Sequence, residues 1–459
     1  MQGRSQREAP VPGRDRWNRP EGTLRTASEQ RAEEVLRSLE LFGMRFGLDR
    51  MRRMMTALGS PERAFGTIQV LGTNGKSSTT RMTAAILQRH GLHTGAYTSP
   101  HLVAYRERVL IDEHELGAEE FSTAVARADR AARQVNRTLE EDDHVTQFEL
   151  LTAAALWEMA RRGVDVGVVE AGLGGRYDAT SVVAPAVTVL TNVGLEHTRW
   201  LGPTITDIAE EKLAVLQPGA TLVLGADLAP EALAVARRVA AERGAEIAGP
   251  LPLPPGLPLR SRGRFQRRNL ALAAAAAAAH LRRAGRELDE GAVRDAAATV
   301  EIPGRMQALA GEPPTVLDGA HNPDAVAALV ESLEDVFPAA PALVLGVLED
   351  KDAAGMLRAL LPRCRRAWFT APPGPRALPP ATLLSQARQL GFEDAVCEPR
   401  PARALAAARG WARQQGTGVL ATGSVYLVGE LLSAAEGAQE SPEGRARAGA
   451  AAATRGARR

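Results

Sequence analysis

The chain contains almost no lysine. Of its 56 basic residues only Lys76, Lys212 and Lys351 are lysines; the rest are arginines. A chain that uses Arg for general positive charge and keeps three Lys points to sites where a planar, permanently charged guanidinium cannot replace a compact ammonium of adjustable pKa. Acidic residues nearly balance the basic ones, and the net charge of +2 gives no overall polyanion-binding signature. Only two cysteines occur, Cys364 and Cys397, without CxxC spacing. That excludes a disulfide framework or a cysteine zinc site and fits a reducing compartment. No apolar run approaches the roughly 20 residues needed to span a bilayer; the longest, Ala271 to Ala279, is short and weakly hydrophobic. The N-terminal charges are not followed by an apolar segment, so a signal peptide is not expected. With 45% hydrophobic and 24% charged residues, the composition is that of a globular protein of the cytoplasm, with no membrane or nucleic-acid partner expected.

A length of 459 residues favours two domains over a single core. Residues 1–28 and 436–459 are rich in Arg, Pro, Gly or Ala without periodicity and read as disordered tails. Between them, FGTIQVLG, VDVGVVEAG, PAVTVLTNVG and ATLVLGAD alternate with amphipathic stretches such as SSTTRMTAAILQRHG. Unbroken apolar strands alternating with helices predict a parallel sheet covered on both faces over 29–302. A second series, PTVLDGAH, PALVLGVL, RAWFTAP and TGVLATGS, predicts a smaller α/β domain over 303–435. IPGR (302–305) reads as the hinge, and the site is expected in the cleft where the strand ends of both domains meet.

The clearest motif is Gly72-Thr73-Asn74-Gly75-Lys76-Ser77, placed between an apolar strand and a helix. Glycines let backbone N–H groups approach phosphate, the helix N-terminus adds positive potential, Lys76 bridges terminal phosphates and Ser77 stands where such loops meet Mg²⁺. Val70 occupies the first-glycine position of the general pattern. ATP binding is the expected consequence.

GTNGK with that departure resembles the phosphate loop of the Mur ligase superfamily. The ordered motifs YTSPHLVAYRERV, TQFELLTAAAL, VVEAGLGGRYDAT, TNVGLEHTRWLG, IAEEKLAVLQPG, PGRM, LDGAHNPDA, GVLEDKD and ATGSVYLVGE resemble the folylpolyglutamate synthase family, many of whose bacterial members are also dihydrofolate synthases. The resemblance implies an ATP-dependent ligase that adds L-glutamate to tetrahydrofolate, and in bifunctional members to dihydropteroate, through an acyl phosphate; the alternatives are a muramyl-type peptide ligase of the same superfamily, acting on a UDP-linked substrate, or a P-loop ATPase of unrelated substrate. It implies small-molecule partners only, and relatives are often monomers.

The resemblance also assigns residues. Ser99, Glu170 and His197 match Mg²⁺ positions, although bare chemistry would make His197 a capping or core histidine and Glu170 a strand-end acid. Lys212 matches a lysine that is carbamylated in relatives and so turned into an anion; without the resemblance, AEEK reads as a salt-bridged helix face. Asn269, Arg305 and Asp318 match nucleotide contacts, with a helix N-cap as the alternative for Asp318. His321 is expected near the terminal phosphate or the incoming glutamate. Thr146 and Tyr177-Asp178-Ala179 match dihydropteroate contacts, with Tyr177 in place of the family's usual leucine. Arg45 lies in a stretch resembling a folate-proximal loop. Lys351 and Ser424 lie at strand ends of the second domain, with glutamate binding, cleft ordering or a structural ion pair all open for Lys351. Ser77 replaces the glycine the family usually carries there.

Overall fold

The computed structural model describes residues 26–39 and 47–440, the side chains of 436–440 excepted. The first helix starts at Ala27 and the last runs to Glu440, so each reaches a few residues into a stretch read as a tail. The rest of both expected tails, and Arg45, lie outside the described residues.

The first unit is built on eight strands: β1 (Gly66–Leu71), β2 (Thr94–Tyr97), β3 (Val109–Ile111), β4 (His114–Glu115), β5 (Val166–Glu170), β6 (Val187–Leu190), β7 (Thr221–Leu224) and β8 (Glu246–Ala248). Their order is β4-β3-β2-β5-β1-β6-β7-β8. From β2 to β8 all neighbours are parallel, whereas β3 and β4 are antiparallel. The expected parallel sheet is thus extended by an antiparallel edge. The β3–β4 turn is made by Asp112 and Glu113, both with positive φ, the two-residue geometry whose twist matches adjoining strands.

Alternation along the strands divides the core into two layers, as a period of two requires. Ile68 and Val70 of β1, Val166 and Val168 of β5, and Val187 and Val189 of β6 face helices Lys76–Arg89 and Arg264–Arg283. The alanine tract is buried there, with Ala273, Ala276 and Ala277 fully covered; its small side chains let the two helices approach closely. The opposite face is covered near β2 and β5 by helices Asp49–Leu58, Ala118–Asn136 and Gln147–Arg162. Near β6 and β7 it is covered by Ile205–Leu213 and Pro230–Arg243.

The second unit has six strands, β9 (Gln307–Leu309), β10 (Thr315–Leu317), β11 (Ala342–Leu345), β12 (Arg366–Phe369), β13 (Ala395–Cys397) and β14 (Val419–Thr422). They are ordered β13-β12-β11-β14-β10-β9, and only β9 runs antiparallel to its neighbour. Leu343, Leu345, Phe369 and Leu420 face one helical layer, and Val344, Trp368 and Ala421 the other. Among the described residues, no helix is long and apolar enough to cross a membrane. The carboxyl ends of both sheets open onto one cleft, the position that doubly wound sheets offer to ligands.

Candidate active site

A single large cavity of about 1450 Å³ occupies this cleft. Sixteen of the eighteen residues assigned above to nucleotide, metal, pterin or catalysis line it; of that set Gly72 and Lys212 lie behind its wall. The central strand β1 delivers the phosphate loop, β5 on one side delivers Glu170, and β6 on the other delivers Thr191 and Asn192.

The loop is held in shape by its neighbours. At Gly72 (φ +145°) a Cβ would fall 1.8 Å from the Thr191 hydroxyl, and at Gly75 (φ +81°) it would fall 2.6 Å from the Asn269 amide oxygen. Glycine is therefore needed at both places for close approach as well as for backbone angle. Asn192 was not picked out by sequence reasoning. Its Oδ1 accepts from the backbone N–H groups of Thr73 (3.1 Å) and Asn74 (2.8 Å). Gly75 then starts helix Lys76–Arg89, whose free N–H groups face the cavity side of the turn.

Both site lysines converge on one carbonyl. Lys76 Nζ donates to Gly72 O (3.1 Å) and Thr73 O (3.0 Å), and Lys212 Nζ donates to the same Gly72 O (2.9 Å). Lys212 is buried, and burial, with Lys76 adding repulsion, pushes its ammonium down to about 7. The salt-bridged helix face that AEEK suggested is not what forms: Lys212 turns inward, while Glu210 meets Arg238 and Glu211 meets Arg176.

Glu170 is fully covered. One oxygen accepts from the Ser77 hydroxyl (3.0 Å) and the other from the Ser99 backbone N–H (3.0 Å). Burial raises its pKa against the opposing field of Lys76, so a cation beside it would relieve an unfavourable buried charge. Carboxylate and hydroxyl oxygens are hard donors that suit Mg²⁺, which completes its shell with waters and substrate phosphates. Among the described residues no three His, Cys, Asp or Glu side chains form a metal-binding group. His197 lines the same cavity with its side chain 38% exposed, in a left-handed turn (φ +55°). Burial pushes its imidazole down to about 4, which keeps it neutral and able to ligate.

From the second unit, Asp318 at the end of β10 accepts from Met306 N (2.9 Å) and Ala320 N (2.8 Å). It is not the helix cap: Asn322 caps Pro323–Val330. Asp318 instead clamps the turn that carries Arg305 to the loop that carries His321. Arg305 enters the cavity from this turn, and its guanidinium donates to the Gly304 carbonyl (3.0 Å). Burial raises the Asp318 carboxyl, opposed first by Arg305.

Glu196 was also missed. It accepts from Lys351 Nζ at 2.7 Å and lies 3.4 Å from His321 Nε2. Burial pushes its carboxyl up, but His321 and Lys351 outweigh that and hold it well below the usual range. Lys351 thus forms an ion pair between the two units. Ser424 is buried and caps the start of the last helix by accepting from Tyr426 N.

At the far end of the cavity, Thr146 caps helix Gln147–Arg162 and both its N–H and hydroxyl donate to Glu149. The spacing Thr146-x-x-Glu149 is a capping-box signature. Asp178 accepts from Leu173 N and Thr180 N. Their polar atoms are thus engaged by the protein itself, and the cavity meets them beside Phe148, Ala179 and the half-exposed ring of Tyr177.

The chain is similar to known proteins over both units. Residues 70–229 match the Mur ligase middle domain and 304–425 the Mur ligase, glutamate ligase domain. The folylpolyglutamate synthase of Lacticaseibacillus casei is 34% identical over 72% of this chain and 83% of its own length. The dihydrofolate synthase/folylpolyglutamate synthase of Escherichia coli is 33% identical over 84% and 90%. The structure of Mycobacterium tuberculosis folylpolyglutamate synthase complexed with ADP superposes with a TM-score of 0.82, at 29% identity, over 89% of this chain and 98% of that one. With two Mur ligase domains, a phosphate loop facing a second α/β unit and full-length likeness to these synthases, the chain belongs to the folylpolyglutamate synthase/dihydrofolate synthase family of Mur ligases.

Proposed function

We infer that this chain is an ATP-dependent amide ligase that adds L-glutamate to tetrahydrofolate and to dihydropteroate. The observation that carries this is the single cavity of about 1450 Å³ joining the phosphate loop to the Thr146–Phe148–Tyr177 end. One-ligand clefts measure roughly 300–1,000 Å³, so the space suits two substrates held side by side.

A carboxylate does not acylate an amine directly, because oxide would have to leave. Attack of the folate or pteroate carboxylate oxygen on the γ-phosphorus of ATP breaks the bond to ADP and gives an acyl phosphate. The glutamate nitrogen then attacks the acyl carbon, loses its proton, and inorganic phosphate departs as the amide forms. Lys76 from one side and Arg305 from the other meet the charge on the phosphoryl group in flight. Asn269 buttresses the loop at Gly75, and Asp318 holds Arg305 and His321 toward the phosphate. Glu170, Ser77, Ser99 and His197 would hold Mg²⁺, which supplies charge neutralisation at the phosphates when bound. His321 faces the same region, beside the path of the glutamate amine.

Lys212 supports a further step. A buried amine with pKa lowered to about 7 is neutral at mildly alkaline pH and adds CO₂, its nitrogen lone pair forming the N–C bond as a proton leaves. The resulting carbamate places negative charge beside Lys76, where the unmodified ammonium meets repulsion. The enzyme acts as a cytoplasmic monomer on small molecules alone.

The test is glutamate-dependent ADP release with dihydropteroate, tetrahydrofolate or a UDP-muramyl peptide as acceptor. Turnover with both pterins supports the reading in full. Turnover with tetrahydrofolate alone removes the dihydropteroate half, and turnover with neither overturns it.

A further inference from the structure

Asn322 is buried at the junction of the two units, and its amide is fully used. Oδ1 accepts from Ala325 N (2.8 Å) and from Asn74 Nδ2 (3.1 Å). Nδ2 donates to Asn74 Oδ1 (3.0 Å) and Glu196 Oε2 (3.4 Å). The first bond caps helix Pro323–Val330. The other three leave the second unit altogether. The Ala325 N–H fixes which end of the Asn322 amide is oxygen, and the reciprocal pair then fixes Asn74.

Asn74 belongs to the phosphate loop, and its side chain is turned across the cleft rather than along the loop. The same Glu196 carboxylate that receives Asn322 also holds Lys351 and stands beside His321. One contiguous cluster therefore ties the phosphate-loop backbone, through Asn74, to the strand-end loops of the second unit. Each member has its partner in the opposite unit, 126 to 248 residues away in sequence. A contact set of this kind exists only when the cleft is closed.

We propose that Asn322 and Glu196 are positioning residues that fasten the second unit onto the phosphate loop, so that closure of the cleft and the placement of Arg305 and His321 depend on the Asn74–Asn322 amide pair. Neither residue needs to touch substrate for this. The first unit supplies the phosphate loop, and the latch acts on the step that follows, when the second unit must be seated with Arg305 and His321.

Two variants separate the latch from the helix cap. Asn322→Ser keeps an oxygen for the Ala325 N–H, because Ser caps about as well as Asn, but is too short to reach Asn74. Asn322→Asp keeps both the cap and the shape, and sets a carboxylate oxygen against Asn74 Oδ1 and Glu196. Both are expected to melt within a few degrees of wild type and to bind ADP within about threefold, as far as one cap and an intact loop decide these. Their kcat for glutamate-dependent ADP release is expected to fall roughly 30-fold or more, from loss of at least two of the three inter-unit amide hydrogen bonds at the closed state. Small-angle scattering with a non-hydrolysable ATP analogue should give a larger radius of gyration for both variants than for wild type. Turnover within threefold of wild type in both variants, or equal radii, overturns the proposal. The inference rests on the ATP-driven reading of the cleft. Should the wild-type protein turn over no acceptor, that reading fails separately, and the scattering comparison alone decides the latch.

Discussion

Lys212 offers the sharpest test of the site's chemistry, by removal of CO₂. An ordinary lysine with pKa 10.5 is roughly 0.3% neutral at pH 8, whereas one at about 7 is roughly 90% neutral, a gain of about 300-fold in reactive amine. The sign follows from linkage. Between about pH 7 and 10.5 the unfolded chain binds a proton that the folded chain lacks, so stability rises with pH across that window. The penalty for burying Lys212 is full below pH 7, where it amounts to about 5 kcal/mol, and fades toward pH 10.5. Carbamate formation removes the same repulsion against Lys76, so CO₂ should both stabilise and activate. Wild-type protein assayed for ADP release at pH 8 in CO₂-depleted buffer should lose most of its turnover and regain it with bicarbonate. Mass spectrometry should find a labile adduct on Lys212, and Lys212→Arg, which stays charged, should be inactive in both buffers. Turnover indifferent to CO₂, together with a functional Lys212→Arg, would refute the reasoning.

Three further expectations rest on single contacts. Glu170→Gln should lower kcat roughly 100-fold by loss of the metal-facing charge, yet leave the metal-free protein as stable or more so. The raised Glu170 pKa means that metal-free wild type loses stability as pH rises past the ordinary carboxylate range; melting in chelator at two pH values reads this, and a less stable Gln variant sinks it. Thr146→Ala should destabilise the fold by about 1 kcal/mol through the lost cap, and Thr146→Ser should restore it; denaturant titration decides, and an unaffected Ala variant would return Thr146 to a purely ligand-facing role. Gly75→Ala adds a methyl 2.6 Å from Asn269 Oδ1 at φ +81°, a strain of about 1–2 kcal/mol, and should weaken ADP binding roughly tenfold by calorimetry; an unchanged affinity would mean that the loop is not fitted to phosphate at that point.

What the sequence displayed and what it hid divide along a physical line. The central strands were legible because a strand buried on both faces must be apolar throughout, and FGTIQVLG or PALVLGVL has no other stable place in water. The phosphate loop was legible because its glycines, lysine and hydroxyl act within a few residues of each other. The antiparallel edges escaped because two- and three-residue strands such as His114–Glu115 carry too little pattern to show a period. Thr146 carried a visible capping box that the family resemblance overshadowed. Glu196, Asn192 and Asn322 were hidden for a different reason. Each is an ordinary polar residue in a loop, and its role is decided by a partner that only the closed fold supplies. Glu196 illustrates the point: beside His197 in sequence it reads as a neighbour of the metal position, while in the fold it anchors Lys351 and receives Asn322 from the other unit. In a two-unit ligase the phosphate loop is therefore written locally, whereas the groups that bring the two units together are written as pairs. Lys351 joins the two kinds, since its rarity in an arginine-rich chain marked it and its ion pair with Glu196 across the cleft explains it.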